Sequence, residues 1–172
     1  MNTVSQAAVT LRPADVCRAL LRALDVVFNG EVEIIQVNSR ETDKRFHEQN
    51  GLFHVVINGI RNGAPAKEIR LIRSVAGIIN PYEDYAAFLK AGENPDLVFI
   101  VSNTTEAGIV FDPSDARGAG LAKSFPGKLT ALLYHRYRTF RRDLKKTVTI
   151  LPCELIERNG EILRGKILEY AA

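Results

Sequence analysis

Polar residues able to do chemistry gather at three places, each just past an apolar run. Leu97-Val98-Phe99-Ile100-Val101 empties into Ser102-Asn103-Thr104-Thr105-Glu106-Ala107-Gly108. The β-branched run 147–151 empties into Pro152-Cys153-Glu154-Leu155, with Asn159-Gly160 shortly after, and the run 32–37 empties into Asn38-Ser39-Arg40. Hydroxyls, amides and a carboxylate behind a buried strand can hydrogen-bond a ribose or a nicotinamide amide. The plainer reading of 102–108 is a helix N-cap, Thr104 or Thr105 preceding small residues, and the segment alone favours the cap.

These strand ends need a scaffold that brings them to one edge. A short strand at Ala7–Leu11 is followed by Pro13, which suits a first helical turn. Val16, Leu20, Ala23, Leu24, Val27 and Phe28 then recur at helical spacing as far as Asn29-Gly30. With the strand at 32–37 this makes one β-α-β unit. Residues 52–60 and 68–79 read as an antiparallel hairpin, with Asn62-Gly63 as a turn signal. A helix is expected over Tyr82–Ala91, another from Lys128 through the basic stretch 136–146, and a last one over 160–170. Leu129, Leu132, Leu133, Tyr137, Phe140 and Leu144 are expected on the inner face of the second. Strands alternating with helices predict one α/β domain over residues 1–172, with a Rossmann-like, mostly parallel sheet covered by helices and an antiparallel excursion. Ligands bind beyond the carboxyl ends of such strands.

Composition narrows the function classes. At 172 residues, 46% hydrophobic and 25% charged, the chain can bury a core without staples. Its apolar runs fall short of the roughly 20 residues a membrane helix needs. Cys17 and Cys153 form neither a disulfide framework nor a metal spacing, and His47, His54 and His135 are too scattered to ligate a metal. The expectation is a reduced, cytoplasmic protein. The net charge of +3 is concentrated: Arg136, Arg138, Arg141, Arg142, Lys145 and Lys146 face only Asp143, leaving 17 basic and 19 acidic residues elsewhere. With Tyr137 and Phe140 expected in the core, this stretch reads as a solvated helix face, and a nucleic-acid partner is not expected.

The run Ser102-Asn103-Thr104-Thr105-Glu106-Ala107-Gly108-Ile109 resembles the SNTTEAGI segment of the tagaturonate reductases (altronate oxidoreductases) within the mannitol dehydrogenase family. Asn50-Gly51-Leu52-Phe53, Leu71-Ile72-Arg73-Ser74-Val75, Glu93-Asn94-Pro95-Asp96, Phe125-Pro126-Gly127-Lys128-Leu129-Thr130 and Pro152-Cys153-Glu154-Leu155-Ile156 are similar in the same order. The resemblance implies a Rossmann-type NAD-binding domain of an enzyme that interconverts D-tagaturonate and D-altronate by hydride transfer, without a metal. It places Asn103, Thr104, Thr105, Glu106 and Glu154 at the nicotinamide end of the cofactor and Arg18 at the pyrophosphate end, and Asn38 belongs to the same cofactor-binding set.

Two departures accompany the resemblance. Arg12 and Ala14 stand where the family carries the glycines of its first turn, and Pro13 removes an amide donor that could hold a pyrophosphate. The family's catalytic lysine, with its Asn and His partners, lies in a following helical domain, and no Lys-x-x-x-x-Asn-x-x-His pattern is present. No catalytic residue is therefore assigned, and no turnover is expected of the chain alone. Asn38-Ser39-Arg40 has no acid for a ribose 2′-hydroxyl, which leaves NADP open beside NAD. The competing expectation is a non-catalytic binding or assembly module that has lost dinucleotide binding.

Overall fold

In the computed structural model, residues 5–9, 31–42, 44–105, 108–115 and 120–172 are described. The helix expected after Pro13, with Arg12, Ala14, Cys17 and Arg18, and also Glu106, lie outside these residues. Five strands, β1 (Ser5–Val9), β2 (Glu31–Ile35), β5 (Val75–Ile79), β6 (Phe99–Ser102) and β7 (Thr149–Pro152), form a sheet of order β5-β2-β1-β6-β7. Every neighbouring pair is parallel, with Val9 opposite both Ile34 and Val101, and Ser102 opposite Pro152. The chain proceeds outward from β1 in one direction, then returns and proceeds in the other. The order thus reverses between β1 and β6, the switch point at whose carboxyl edge such sheets bind ligands.

A separate pair, β3 (Phe53–Arg61) and β4 (Ala64–Ile72), forms the antiparallel excursion. Asn62 (φ 53°) and Gly63 (φ 78°) make its two-residue turn, both left-handed as a tight hairpin requires. The expected second hairpin strand, 68–79, is in fact two strands. The ladder to β3 ends at Ile72, and Val75–Ile79 pairs with β2 in the main sheet. The Ser74 carbonyl takes the Val32 amide at 2.7 Å, so the chain changes sheets there.

Alternation in β2 divides the core. Val32 and Ile34 pack with Val55, Ile72, Val75 and Val101 on one face, beneath the hairpin. Ile35 belongs to the other cluster, with Ile100, Phe88, Leu129, Leu132 and Leu163. That cluster is roofed by α2 (Tyr85–Ala91), α3 (Phe125–Thr139) and α4 (Asn159–Ala171); a short α1 (Lys44–Glu48) precedes β3. Helix α2 starts three residues later than the periodicity suggests. The Asn80 side chain takes the Tyr82 amide and its carbonyl takes those of Glu83 and Asp84, holding a turn until Asp84 caps the helix through Ala87 N. Among the described residues, no helix is long and apolar enough to cross a membrane.

The basic stretch departs most from expectation. Helix α3 ends at Thr139, and 144–146 is a separate 3-10 turn. Arg136 is buried, not solvated. Its guanidinium donates to Gly92 O (2.8 Å), Asn94 O (2.6 Å), Leu97 O (3.3 Å) and Lys146 O (2.9 Å), closing the end of α2 onto α3. Burial lowers its pKa. Tyr137 and Leu144, expected in the core, are 47% and 78% exposed. The helix stops before Leu144 can join its apolar face, because Arg141 (φ 51°) and Arg142 (φ 69°) turn left-handed in succession. Such backbone costs about 1–3 kcal/mol at each non-glycine residue.

Candidate functional site

Strands β6 and β7 end side by side on one flank of the switch point, and their last residues are polar and buried. Ser102 is inaccessible, and Asn103 and Glu154 are each 4% exposed. The Ser102 carbonyl receives the Cys153 amide at 2.7 Å, extending the ladder past β7 and carrying Glu154 to the sheet edge. There Glu154 Oε1 accepts the Thr104 amide at 3.0 Å and lies 3.2 Å from the Thr104 hydroxyl. This contact spans fifty residues; the amides a Thr104 cap would take belong to residues 106 and 107, outside the described residues. Asn159 holds the loop beneath: its amide donates to Pro152 O (2.9 Å) and Glu154 O (3.0 Å). The glycine of the 102–108 run is sterically required, since a Cβ on Gly108 would lie 2.3 Å from Thr104 Oγ1.

Among the described residues, two polar atoms of this group have no partner: Glu154 Oε2 and the Ser102 hydroxyl are both buried without a hydrogen bond. An unsatisfied buried acceptor costs about 1–3 kcal/mol, more when charged, so the pair marks a place where a ligand would recover energy. A carboxylate oxygen accepts and a hydroxyl donates or accepts, which suits a ligand group with an N–H beside a carbonyl.

Cys153, just past the end of β7, is half-buried. Burial, and secondarily the charge of Glu154, push its thiol up, away from the thiolate that nucleophilic chemistry needs. Among the described residues no group of three His, Cys, Asp or Glu could hold a metal. His135 pairs with Glu93 at 2.8 Å.

Asn38 lies elsewhere, beyond β2 on the other flank of the switch. With β1 and β6 intervening, β2 and β7 are about 14 Å apart. Asn38 Oδ1 accepts the Arg40 amide (3.1 Å) and Gln36 Nε2 (3.2 Å). The Arg40 carbonyl is held in turn by the buried Asn80 at 2.9 Å. The turn after β2 is thus tied to the end of β5, with Asn38, Ser39 and Arg40 exposed. Of the residues singled out from sequence, the structure brings together Asn103, Thr104 and Glu154 and leaves Thr105 exposed beside them. Ser102 and Asn159 stood in the polar runs read from sequence without a role given to them, and the part played by Asn80 was not anticipated. The available signal for Ser102 was a hydroxyl at an inward position of a buried strand; Asn80 and Asn159 act only through contacts made by folding.

A parallel sheet of this order, with buried polar residues at its carboxyl edge, defines a Rossmann-type nucleotide-binding class of domain. Residues 16–172 match the family model described as the mannitol dehydrogenase Rossmann domain, and the chain belongs to that family. The altronate oxidoreductase of Bacillus subtilis (strain 168) is 44% identical over 144 residues, which is 84% of this chain and 30% of that protein. That of Phocaeicola vulgatus is 41% identical over 143 residues, 83% of this chain and 30% of the relative. The chain therefore spans about 30% of the length of these curated relatives. Among solved structures, Pseudomonas fluorescens mannitol 2-dehydrogenase, in a ternary complex with NAD and D-mannitol, superposes with a TM-score of 0.80 at 19% identity. The match covers 99% of this chain and 37% of that one. A substrate-free D-sorbitol dehydrogenase gives 0.75 at 16% identity, covering 99% and 40%. Both likenesses show the fold.

Proposed function

We propose that the chain is the dinucleotide-binding domain of a cytoplasmic, altronate oxidoreductase-like enzyme, and that it holds NAD(H) across the carboxyl edge of its sheet. The observation that carries this reading is the buried pair Glu154 Oε2 and Ser102 Oγ beside the switch point, unpartnered among the described residues. A nicotinamide carboxamide has the N–H and C=O that such a pair lacks. Glu154, Thr104 and Asn103, with Thr105 and Glu106, would line that end, Asn38 the adenosine ribose and Arg18 the pyrophosphate. The cofactor supplies or accepts the hydride when bound; these residues orient its ring and exclude water around it.

The reaction assigned is interconversion of D-tagaturonate and D-altronate, the substrate pocket and proton-transferring residues belonging to a further helical domain outside these 172 residues. Apolar side chains left bare beside the site support a domain partner. Leu155 is 83% exposed, and Leu151 and Ile162 are exposed on β7 and the first turn of α4. The second reading, a module that no longer binds dinucleotide, is favoured by Arg12 and Ala14 at the glycine positions of the first turn. Titrating NADH and NADPH into the purified chain, followed by nucleotide fluorescence, separates the two. Micromolar binding weakened by Glu154→Gln supports the first reading. Absence of binding of either at millimolar concentration overturns it.

A further inference from the structure

The basic stretch after α3 is not absorbed by the dinucleotide site. Helix α3 starts at the carboxyl edge of the sheet and runs back against the strands, so its last turn lies at the opposite end. With Arg136 buried, Arg138, Arg141, Arg142 and Lys145 are the exposed cations there. They form no ion pair among the described residues. Asp143, the one acid in the stretch, turns its carboxylate to the Lys145 amide at 2.9 Å.

Aromatic rings stand among these charges. Tyr134 is 60% and Tyr137 47% exposed, one helical turn apart on the same side of α3. The Arg138 guanidinium lies 5.9 Å from the Tyr134 ring centroid, and that of Arg142 lies 5.7 Å from the Tyr137 centroid. Both distances fall within the roughly 6 Å of a cation–π contact, and both tyrosines remain exposed. The backbone adds an independent observation. Arg141 and Arg142 occupy left-handed positions, where a helix ordinarily ends on glycine. What arginine contributes at this strained corner, and glycine does not, is charge.

We propose that this corner binds single-stranded nucleic acid, with Arg138, Arg141, Arg142 and Lys145 on phosphates and Tyr134 and Tyr137 as stacking platforms for adjacent bases. Three of the four cations are arginines, whose planar fork suits phosphate oxygens and whose flat face stacks. An acidic peptide would use the charges and leave the ring pair unexplained.

The test is fluorescence anisotropy of a labelled RNA of about 12 nucleotides, titrated with the full chain between roughly 50 and 200 mM salt. Binding is expected, with log affinity falling by about 0.7 per phosphate contacted for each decade of salt. The double variant Arg141→Gly, Arg142→Gly relieves the left-handed strain while removing two charges. Its melting temperature is expected to hold or rise, its affinity to drop at least about tenfold, and its salt slope to become shallower by about 1.4. Tyr134→Ala with Tyr137→Ala is expected to lose about fivefold or more in affinity with the slope unchanged. Absence of salt-dependent binding, or binding unaltered in the glycine variant, overturns the proposal. So does an equal affinity for polyglutamate that ignores both tyrosines, which assigns the corner to an acidic protein.

Discussion

Glu154 and Thr104, fifty residues apart in sequence, meet through one carboxylate oxygen: Oε1 accepts the Thr104 amide at 3.0 Å, with the Thr104 hydroxyl 3.2 Å away. The contact joins the ends of β6 and β7 and leaves Oε2 buried and, among the described residues, unpartnered.

Glu154→Gln keeps an oxygen for the Thr104 amide but removes the charge offered to a ligand. Stability is expected to change little, while NADH affinity falls by about tenfold to hundredfold, the range for a charge-assisted bond. Glu154→Ala also strands the Thr104 amide and is expected to cost about 1–3 kcal/mol in urea unfolding. Nucleotide affinity unmoved by the glutamine variant would remove Glu154 from the proposed site.

Arg136→Met is expected to destabilise the fold by about 2–4 kcal/mol, because it leaves carbonyls of Gly92, Asn94, Leu97 and Lys146 without their shared donor. Lysine should rescue little, since one ammonium cannot reproduce the fork. An Arg136→Lys melt matching that of the parent would contradict this account.

Asp115 sets one pH dependence. Burial alone would raise its carboxyl, but hydrogen bonds from the Lys123 and Ser124 amides, the Ser124 hydroxyl and Tyr170 outweigh burial and hold it below its ordinary value of 3.8. A depressed folded-state pKa contributes stability that is fully present above the unfolded value and lost as pH falls through the folded one. Asp115→Asn should therefore lower the melting temperature at pH 7, with the difference from the parent shrinking toward pH 3 or below.

Glu33 works in the opposite sense. Burial first, and the neighbouring Glu31 second, raise its carboxyl above 4.5. Its folded form binds a proton more tightly than the unfolded chain, so stability declines as pH rises from the unfolded value through the folded one. Glu33→Gln is expected to raise the melting temperature at pH 7 and to leave it nearly unchanged at pH 4. A variant less stable at neutral pH would show that the carboxylate has a favourable partner instead.

Local chemistry made much of this readable in advance. The Asn62-Gly63 turn, the β-branched strands and the amphipathic stretch at 129–133 carry their signals within a few residues, where backbone sterics and side-chain period act directly. The strand ends at Ser102 and Pro152 were legible as polar exits from apolar runs. The separation of Ile72 from Val75 was not, because an extended run does not reveal where it changes partners. The fate of the basic stretch was also hidden, because its period continues past Thr139 while the backbone turns left-handed at Arg141.

By itself the sequence determined an α/β chain, the positions of its polar strand ends, and a family pattern spread from residue 16 onward. Only the tertiary structure decided which of those ends are neighbours, that Glu154 takes Thr104 rather than water, that Arg136 is interior and that Tyr134 and Tyr137 are not. Periodicity reports which face of an element is apolar. Contacts between residues fifty apart depend on strand order and on the exact residue at which each element stops, and those are set by packing of the whole sheet.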